Sequence, residues 1–91
     1  MKAALHLTVR GRVQGVGYRY YTQHSAAALG ITGFVRNLTD GNVEIIAEGE
    51  PAALDELVHI VKEGPGFSFV DGVDIKKIPV EGTFLQFSIK Y

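Results

Sequence analysis

The chain has 91 residues, which is enough for one hydrophobic core and too few for two, so we expect residues 1–91 to form a single domain. Hydrophobic residues make up 46% and charged residues 21% of the sequence, which excludes disorder over the whole chain, and the net charge of −1 argues against a nucleic-acid partner bound by phosphate neutralisation. The absence of cysteine excludes disulfides and thiolate chemistry, and the lack of a membrane span or signal peptide predicts a cytoplasmic protein with no membrane partner.

The first third of the sequence predicts a strand, a glycine-rich loop and a helix. Apolar and polar residues alternate from Leu5 to Arg10, which is typical of a half-buried strand. Three glycines within residues 11–17 argue against regular structure there. Residues 18–29 contain good helix formers, and Gly30 stands where a helix commonly ends. The glycine-rich loop is therefore expected to join a strand directly to the N-terminus of a helix.

The remaining sequence predicts a hairpin, a second helix and two further strands. Residues 34–38 and 43–48 are the strands of the hairpin, because the turn between them contains Asp40-Gly41. Proline suits the first position of a helix, and apolar residues recur at helical spacing after Pro51 until Gly64-Pro65 ends the pattern. The last two predicted strands are 70–80 and a short one with Leu85, Phe87 and Ile89 on one face.

The order of these elements is βαββαβ with a short extra C-terminal strand. This order predicts an α+β sandwich in which two helices pack on one face of an antiparallel sheet. In the split-βαβ arrangement, strand three lies between strands one and two, which are parallel to each other. The carboxyl ends of strands one and two then share one edge of the sheet. We therefore expect the glycine-rich loop to lie near Arg36-Asn37, at the end of strand two.

The loop before the first helix combines three features of an anion-binding site. Its glycines allow successive amide N–H groups to turn toward one centre, and the helix N-terminus adds the positive end of its dipole. Arg19 follows at the start of the helix, and its planar guanidinium suits a phosphoryl group. A structural glycine turn beside a surface arginine explains the loop alone equally well. The expected phosphate-binding residues are Val13, Gln14, Gly15, Val16, Gly17, Tyr18 and Arg19.

The loop does not match three well-known phosphate-binding patterns. It lacks the lysine of a Walker A motif and the third glycine of a dinucleotide-binding fingerprint. Its spacing resembles that of a cysteine-dependent phosphatase loop, but the first position is Val13, so no thiolate is available to form a phospho-enzyme.

Two segments resemble the signatures of the acylphosphatase family. The first is Val-x-Gly-x-Val-Gln-Gly-Val-x-Tyr-Arg, ending at Arg19, and the second is Gly-Phe-Val-Arg-Asn-x-x-x-Gly-x-Val, which contains Asn37. The similarity extends over nearly the whole chain. It implies a ferredoxin-like fold and the hydrolysis of acyl phosphates to a carboxylate and inorganic phosphate, with no metal and no cofactor. It also implies that Arg19 is the phosphate-binding arginine and Asn37 the water-orienting asparagine, the two catalytic residues.

The sequence departs from the family pattern at three places. Tyr18 stands where the family usually has phenylalanine, which keeps a ring and adds a hydroxyl group. The segment from Phe67 to Phe69 is more aromatic than is usual, and Lys90 stands where an arginine is common. The last two departures concern stability and the C-terminal contacts, whereas the chemistry depends on other residues.

Other residues with reactive side chains carry less weight. The three histidines lie on separate elements and lack metal-ligand spacing, so no metal site is expected. Tyr18, Tyr20 and Tyr21 are interpreted as packing or surface aromatics. Glu48 and Glu50 are expected to be exposed and not catalytic.

Three alternatives to a stand-alone enzyme share this pattern of elements. RNA-recognition domains have the same order, but strands one and three here lack the aromatic residues that stack on bases. A non-catalytic phosphate- or small-ligand-binding regulatory domain is the better alternative, and it would need Arg19 but not Asn37. An accessory domain of a larger carbamoyl-transfer enzyme is the third. We expect a monomeric enzyme whose partners are a small acyl phosphate as substrate and inorganic phosphate as product and inhibitor.

Overall fold

A computed structural model of the chain describes residues 1–91 and contains two helices and five strands. In chain order the elements are β1 (Ala3–Arg12), α1 (Tyr18–Ala28), β2 (Thr32–Asn37), β3 (Val43–Gly49), α2 (Pro51–Glu63), β4 (Phe69–Ile78) and β5 (Phe87–Lys90). The predicted βαββαβ order with a short C-terminal strand is confirmed. Neither helix has the length and apolar character that a membrane-spanning helix requires.

The five strands form one sheet in the order β4-β1-β3-β2-β5. As expected, β3 lies between β1 and β2 and is antiparallel to both. β4 is also antiparallel to β1, whereas β5 pairs with β2 in parallel, so the sheet is mixed and not wholly antiparallel. The parallel pair arises because β4 and β5 lie at opposite edges, and residues 79–86 carry the chain from one edge to the other.

Both helices pack on the same face of the sheet. α1 lies against β2 and β5, and α2 lies against β1, β3 and β4. The alternating apolar residues of the strands and the apolar stripe of α2 point into the layer between helices and sheet, where their burial drives folding. The buried core residues are Leu7, Val9, Val13, Tyr18, Ala26, Ile31, Val35, Val43, Ile45, Ala47, Leu54, Leu57, Val61 and Phe87.

Two tyrosines of α1 bind the last turn of α2. The Tyr18 hydroxyl donates a hydrogen bond of 2.7 Å to the carbonyl oxygen of Val61, and the Tyr21 hydroxyl donates one of 2.8 Å to that of Ile60. The Val61 carbonyl has no partner within the helix, because the residue four positions later is Pro65, which lacks an N–H, so the Tyr18 hydroxyl satisfies it. The Ile60 carbonyl also accepts a hydrogen bond from the amide of Gly64, at 3.0 Å. Burial, with a smaller effect of Tyr21, raises the pKa of Tyr18, so its hydroxyl remains a donor. The Tyr18 hydroxyl, which the phenylalanine usual in the family lacks, therefore links α1 to α2.

Replacing Tyr18 with phenylalanine is expected to lower the free energy of unfolding by about 1–2 kcal/mol, because the buried Val61 carbonyl loses its donor. Chemical denaturation of the two proteins measures the difference. Tyr21→Phe is the matched control, and its loss should be smaller because the Tyr21 hydroxyl is only partly buried and water can replace it. Equal stability of wild type and Tyr18→Phe would contradict this role.

The segment 79–86 corrects two expectations from the sequence. Glu48 was expected to be exposed, but it is only 2% exposed, and its carboxylate accepts hydrogen bonds from the amide groups of Glu81 at 2.8 Å and Gly82 at 3.1 Å. The crossing segment 79–86 covers this residue, which a period-two pattern cannot indicate. The alternating pattern predicts Leu85 on the apolar face of the last strand, but Leu85 precedes β5 and is 96% exposed.

Candidate active site

The carboxyl ends of three strands meet at one edge of the sheet, next to the N-terminus of α1. β1 and β2 are both antiparallel to β3 and so run in the same direction, and β5 is parallel to β2. The loop 13–17 follows β1 at this edge, Asn37 ends β2, and Tyr91 follows β5. The strand order therefore gathers three separate stretches of sequence.

The loop 13–17 presents a run of amide groups that the protein does not use. Gly15 and Gly17 have φ angles of 75° and 79°, in the left-handed region that favours glycine. A Cβ atom at either position would meet no atom within 4 Å, so the backbone conformation, and not lack of space, requires glycine there. None of the amide groups of residues 14–17 donates a hydrogen bond within the protein. Such a run of free donors is characteristic of an anion-binding loop.

The first turn of α1 extends this run of donors. Gly17 is the N-cap residue and supplies no side-chain cap, and the first intrahelical bond is from the amide of Tyr21 to the carbonyl of Gly17. The amide groups of residues 18–20 therefore have no helical partner. With no acidic side chain in this turn, the positive end of the helix dipole is not neutralised.

Arg19 is a cation without a carboxylate partner. Arg10 and Arg36 are each paired with a carboxylate, of Asp74 and Glu44, but no carboxylate lies within ion-pair distance of Arg19. Its Nη1 is 3.5 Å from the carbonyl oxygen of Lys90, and its guanidinium carbon is 4.8 Å from the centre of the Tyr91 ring. The Arg19 charge is thus held between β5 and the loop and is available to an anion.

A cavity of about 170 Å³ lies beside Arg19, which we call the Arg19 cavity. Of the seven residues predicted to bind phosphate, Gln14 and Val16 do not line it. The Tyr18 hydroxyl is engaged by Val61, as described above, so Tyr18 contributes its ring to the wall. No acidic residue lines this cavity. The lining residues are Val13, Gly15, Gly17, Tyr18, Arg19, Tyr20, Ile89 and Tyr91.

The Gln14 side chain binds the end of β2, whereas its backbone amide remains free. Its side-chain amide nitrogen donates hydrogen bonds to the carbonyl oxygens of Leu38, at 2.7 Å, and Asn42, at 2.8 Å. Both acceptors belong to the turn between β2 and β3, so Gln14 fastens the glycine-rich loop to the end of β2. This contact keeps the loop next to Asn37.

Asn37 carries a buried acceptor with no donor. Its Oδ1 atom is inaccessible to solvent and receives no hydrogen bond from the protein. Leaving a buried acceptor unpaired costs free energy, and most such atoms in proteins have a partner. Asn37 is not among the residues that line the Arg19 cavity, but it follows Arg36, which is paired in register with Lys90 of β5. Its free oxygen is suited to accept a hydrogen bond from a hydroxyl or a water molecule.

Three residues of the Arg19 cavity were not assigned to the site from the sequence: Tyr20, Ile89 and Tyr91. Tyr20 directly follows Arg19 on the first helical turn, so its position beside the site could be predicted from the sequence. Ile89 and Tyr91 reach the cavity only because β5 pairs with β2, and nothing in their local sequence indicates that pairing.

The other residues singled out in the sequence lie elsewhere. Lys90 directs its ammonium group to the ring of Phe34, 4.1 Å from its centre, on the opposite face of the sheet, and Phe67 and Phe69 are exposed. His6 hydrogen-bonds Glu44 on that same face. No group of three or more histidine, aspartate and glutamate side chains lies close enough together to hold a metal ion.

In comparisons with known proteins, residues 5–89 match the family model described as Acylphosphatase. An acylphosphatase of Caldanaerobacter subterraneus is 43% identical, with 98% of this chain and 99% of that protein covered. One of Archaeoglobus fulgidus is 47% identical, with 97% and 98% covered. The crystal structure of acylphosphatase from Bacillus subtilis is similar over the full length of both chains, with 41% identity and a TM-score of 0.94.

Proposed function

We propose an active site for this chain on the premise that it belongs to the acylphosphatase family and is a hydrolase of acyl phosphates. The site is the Arg19 cavity together with Asn37. The observation that carries this proposal is the coincidence of an unpaired guanidinium with a run of free amide groups. Both are donors, both lie at one edge of the sheet, and together they match the oxygens of a phosphoryl group.

The loop and Arg19 hold the phosphoryl group in this proposal. Phosphoryl transfer has a loose transition state, so its catalysis depends on positioning and on stabilising charge on the non-bridging oxygens. The amide groups of residues 14–17 supply neutral donors in a fixed arrangement. Arg19 supplies a permanent positive charge and two parallel N–H groups, which suit two oxygens at once. These donors form no strong bonds within the protein, so substrate binding breaks none.

Asn37 orients the attacking water. Its Oδ1 accepts a hydrogen bond from the water and thereby directs the water oxygen at phosphorus, in line with the bond to the acyl oxygen. A new P–O bond forms, the bond from phosphorus to the acyl oxygen breaks, and its electron pair leaves with the carboxylate. The proton of the water passes to a non-bridging phosphoryl oxygen. The lack of any donor to Oδ1 within the protein supports this role.

The leaving group explains why so few side chains suffice. A carboxylate has a conjugate acid with a pKa of about 4, judged from side-chain carboxyl groups, so it departs as an anion without a general acid. The phosphoryl oxygen takes the proton of the water, so no general base is needed. We therefore propose that the reaction requires no metal ion.

Hydrolysis of acetyl phosphate by the purified protein in excess chelator tests this function. We expect turnover within about twofold of the rate without chelator, and far slower hydrolysis of an alkyl phosphate monoester, whose alkoxide leaving group needs an acid that the site lacks. Loss of activity in chelator with recovery on adding a divalent cation would overturn the metal-free reaction. No hydrolysis under either condition would overturn the function.

Inorganic phosphate should bind the same site as product, inhibit competitively and stabilise the fold. At ten times its dissociation constant, a ligand that binds only the folded state stabilises it by about 1.4 kcal/mol, which raises the Tm of a chain of this size by roughly 6–11 °C. Thermal unfolding in phosphate or sulfate, against chloride at equal ionic strength, measures the shift. A Tm that is the same in all three salts would contradict a phosphate site.

A further inference from the structure

The Arg19 cavity has an apolar wall that the proposed chemistry does not use. Tyr20, Ile89 and Tyr91 line the cavity beside the phosphate-binding donors, and none of them supplies a group to the phosphoryl transfer. Tyr20 is 62% exposed and Tyr91 is fully exposed, so these two rings contribute little to the core. Exposed aromatic rings beside a polar site commonly give a ligand an apolar surface to cover.

Both rings are held in place by neighbouring side chains. The Tyr20 ring packs on the ring of His24, one helical turn later, with centroids 4.4 Å apart. The Tyr91 ring lies under the Arg19 guanidinium, as described above. Because these contacts restrict the two rings before a ligand arrives, a ligand loses less free energy in ordering them.

We propose that the wall formed by Tyr20, Ile89 and Tyr91 binds the acyl group of the substrate, and that Tyr20 is a specificity-determining residue. The inference rests on the proposed function, because the acyl group lies beside the wall only when the phosphoryl group is bound by Arg19 and the loop. An acetyl group is too small to cover the rings. The enzyme therefore selects acyl phosphates with an aromatic or larger hydrocarbon acyl group.

Tyr20 is the residue at which to test this selection. Tyr91 contacts Arg19, and Ile89 packs against the core, so changing either would disturb more than the acyl site. Tyr20→Ala keeps a good helix former and removes only an exposed ring. Phe67→Ala is the matched control, because Phe67 is an aromatic residue that is 87% exposed and does not line the cavity.

The measurement compares kcat/KM for benzoyl phosphate and acetyl phosphate. Wild type should prefer benzoyl phosphate. Tyr20→Ala should lower the ratio of kcat/KM for benzoyl phosphate to kcat/KM for acetyl phosphate by about fivefold, equivalent to about 1 kcal/mol. Tyr20→Phe should behave as wild type, since the ring is retained, and so should Phe67→Ala.

The outcomes separate this inference from the proposed function. If wild type hydrolyses both substrates but Tyr20→Ala leaves their ratio unchanged, the acyl site is wrong and the proposed function stands. The acyl site is also wrong if Phe67→Ala lowers the ratio as much as Tyr20→Ala. If wild type hydrolyses neither substrate, the proposed function itself fails, and the acyl site fails with it.

Discussion

Arg19→Ala is expected to lower kcat/KM for acyl phosphates by about 10³-fold or more, the scale at which a transition-state arginine contributes to phosphoryl transfer. It should also weaken the binding of inorganic phosphate, because the same charge holds the phosphoryl group before and during the reaction. Arg19→Lys should be impaired almost as strongly, since a single ammonium group cannot replace the two parallel N–H groups of a guanidinium. Acyl-phosphate kinetics and phosphate titration of the folded variants measure both effects.

Arg10→Ala is the control for the loss of one positive charge. Arg10 forms an exposed ion pair with Asp74 on the sheet face opposite the helices, and such pairs contribute little. Its activity should stay within about twofold of wild type. If Arg10→Ala and Arg19→Ala lose activity to the same extent, the effect reflects net charge and not a specific contact. If Arg19→Ala keeps its affinity for phosphate, the phosphate site is not in the Arg19 cavity.

Asn37→Ala is expected to reduce kcat by about 10²-fold or more, the effect of removing one preorganised polar group from a transition state. The affinity for inorganic phosphate should remain near that of wild type, because Asn37 acts on the water and not on the phosphoryl group. This combination differs from that of Arg19→Ala, in which both quantities change. The same kinetic and titration measurements distinguish the two variants.

Asn42→Ala is the matched control for an asparagine truncated near the same edge of the sheet. The Asn42 side chain donates a hydrogen bond to Asp40 in the exposed turn, and its backbone carbonyl, which binds Gln14, is kept in the variant. Asn42→Ala should therefore turn over like wild type. Normal turnover by Asn37→Ala would remove the water-orienting role, and a passive phosphate-binding domain would become the better account of the molecule.

Local sequence determined most of the fold. The alternation in β1 and β3, the apolar stripe of α2 and the Asp40-Gly41 turn are short-range patterns, and each produced the predicted element. The strand order followed from the element order, because the split-βαβ arrangement has few alternatives. The positive φ angles of Gly15 and Gly17 are likewise local, since glycine is the residue that adopts this backbone conformation without steric strain.

The burial of Glu48 and the exposure of Leu85 were decided by the path of the segment 79–86. Glu48 has the spacing of an exposed residue on β3, and it is buried only because residues 79–86 cross the sheet face opposite the helices and donate two amide groups to its carboxylate. Leu85 has the spacing of a core residue and is exposed because it belongs to the same crossing segment. For Glu48 the alternation shows which face the side chain takes, but it contains no information about what covers that face. For Leu85 the alternation continues in the sequence before the residue at which β5 begins.

The sequence by itself determined the donors of the candidate site, whereas only the tertiary structure decided its walls. The glycine-rich loop and Arg19 are contiguous, so the amide groups and the guanidinium could be placed together from local geometry. Ile89 and Tyr91 join them because β5 pairs in parallel with β2, and Gln14 binds the β2–β3 turn instead of facing the cavity. Such contacts between distant residues depend on the packing of the whole chain, which the periodicity of one segment does not record.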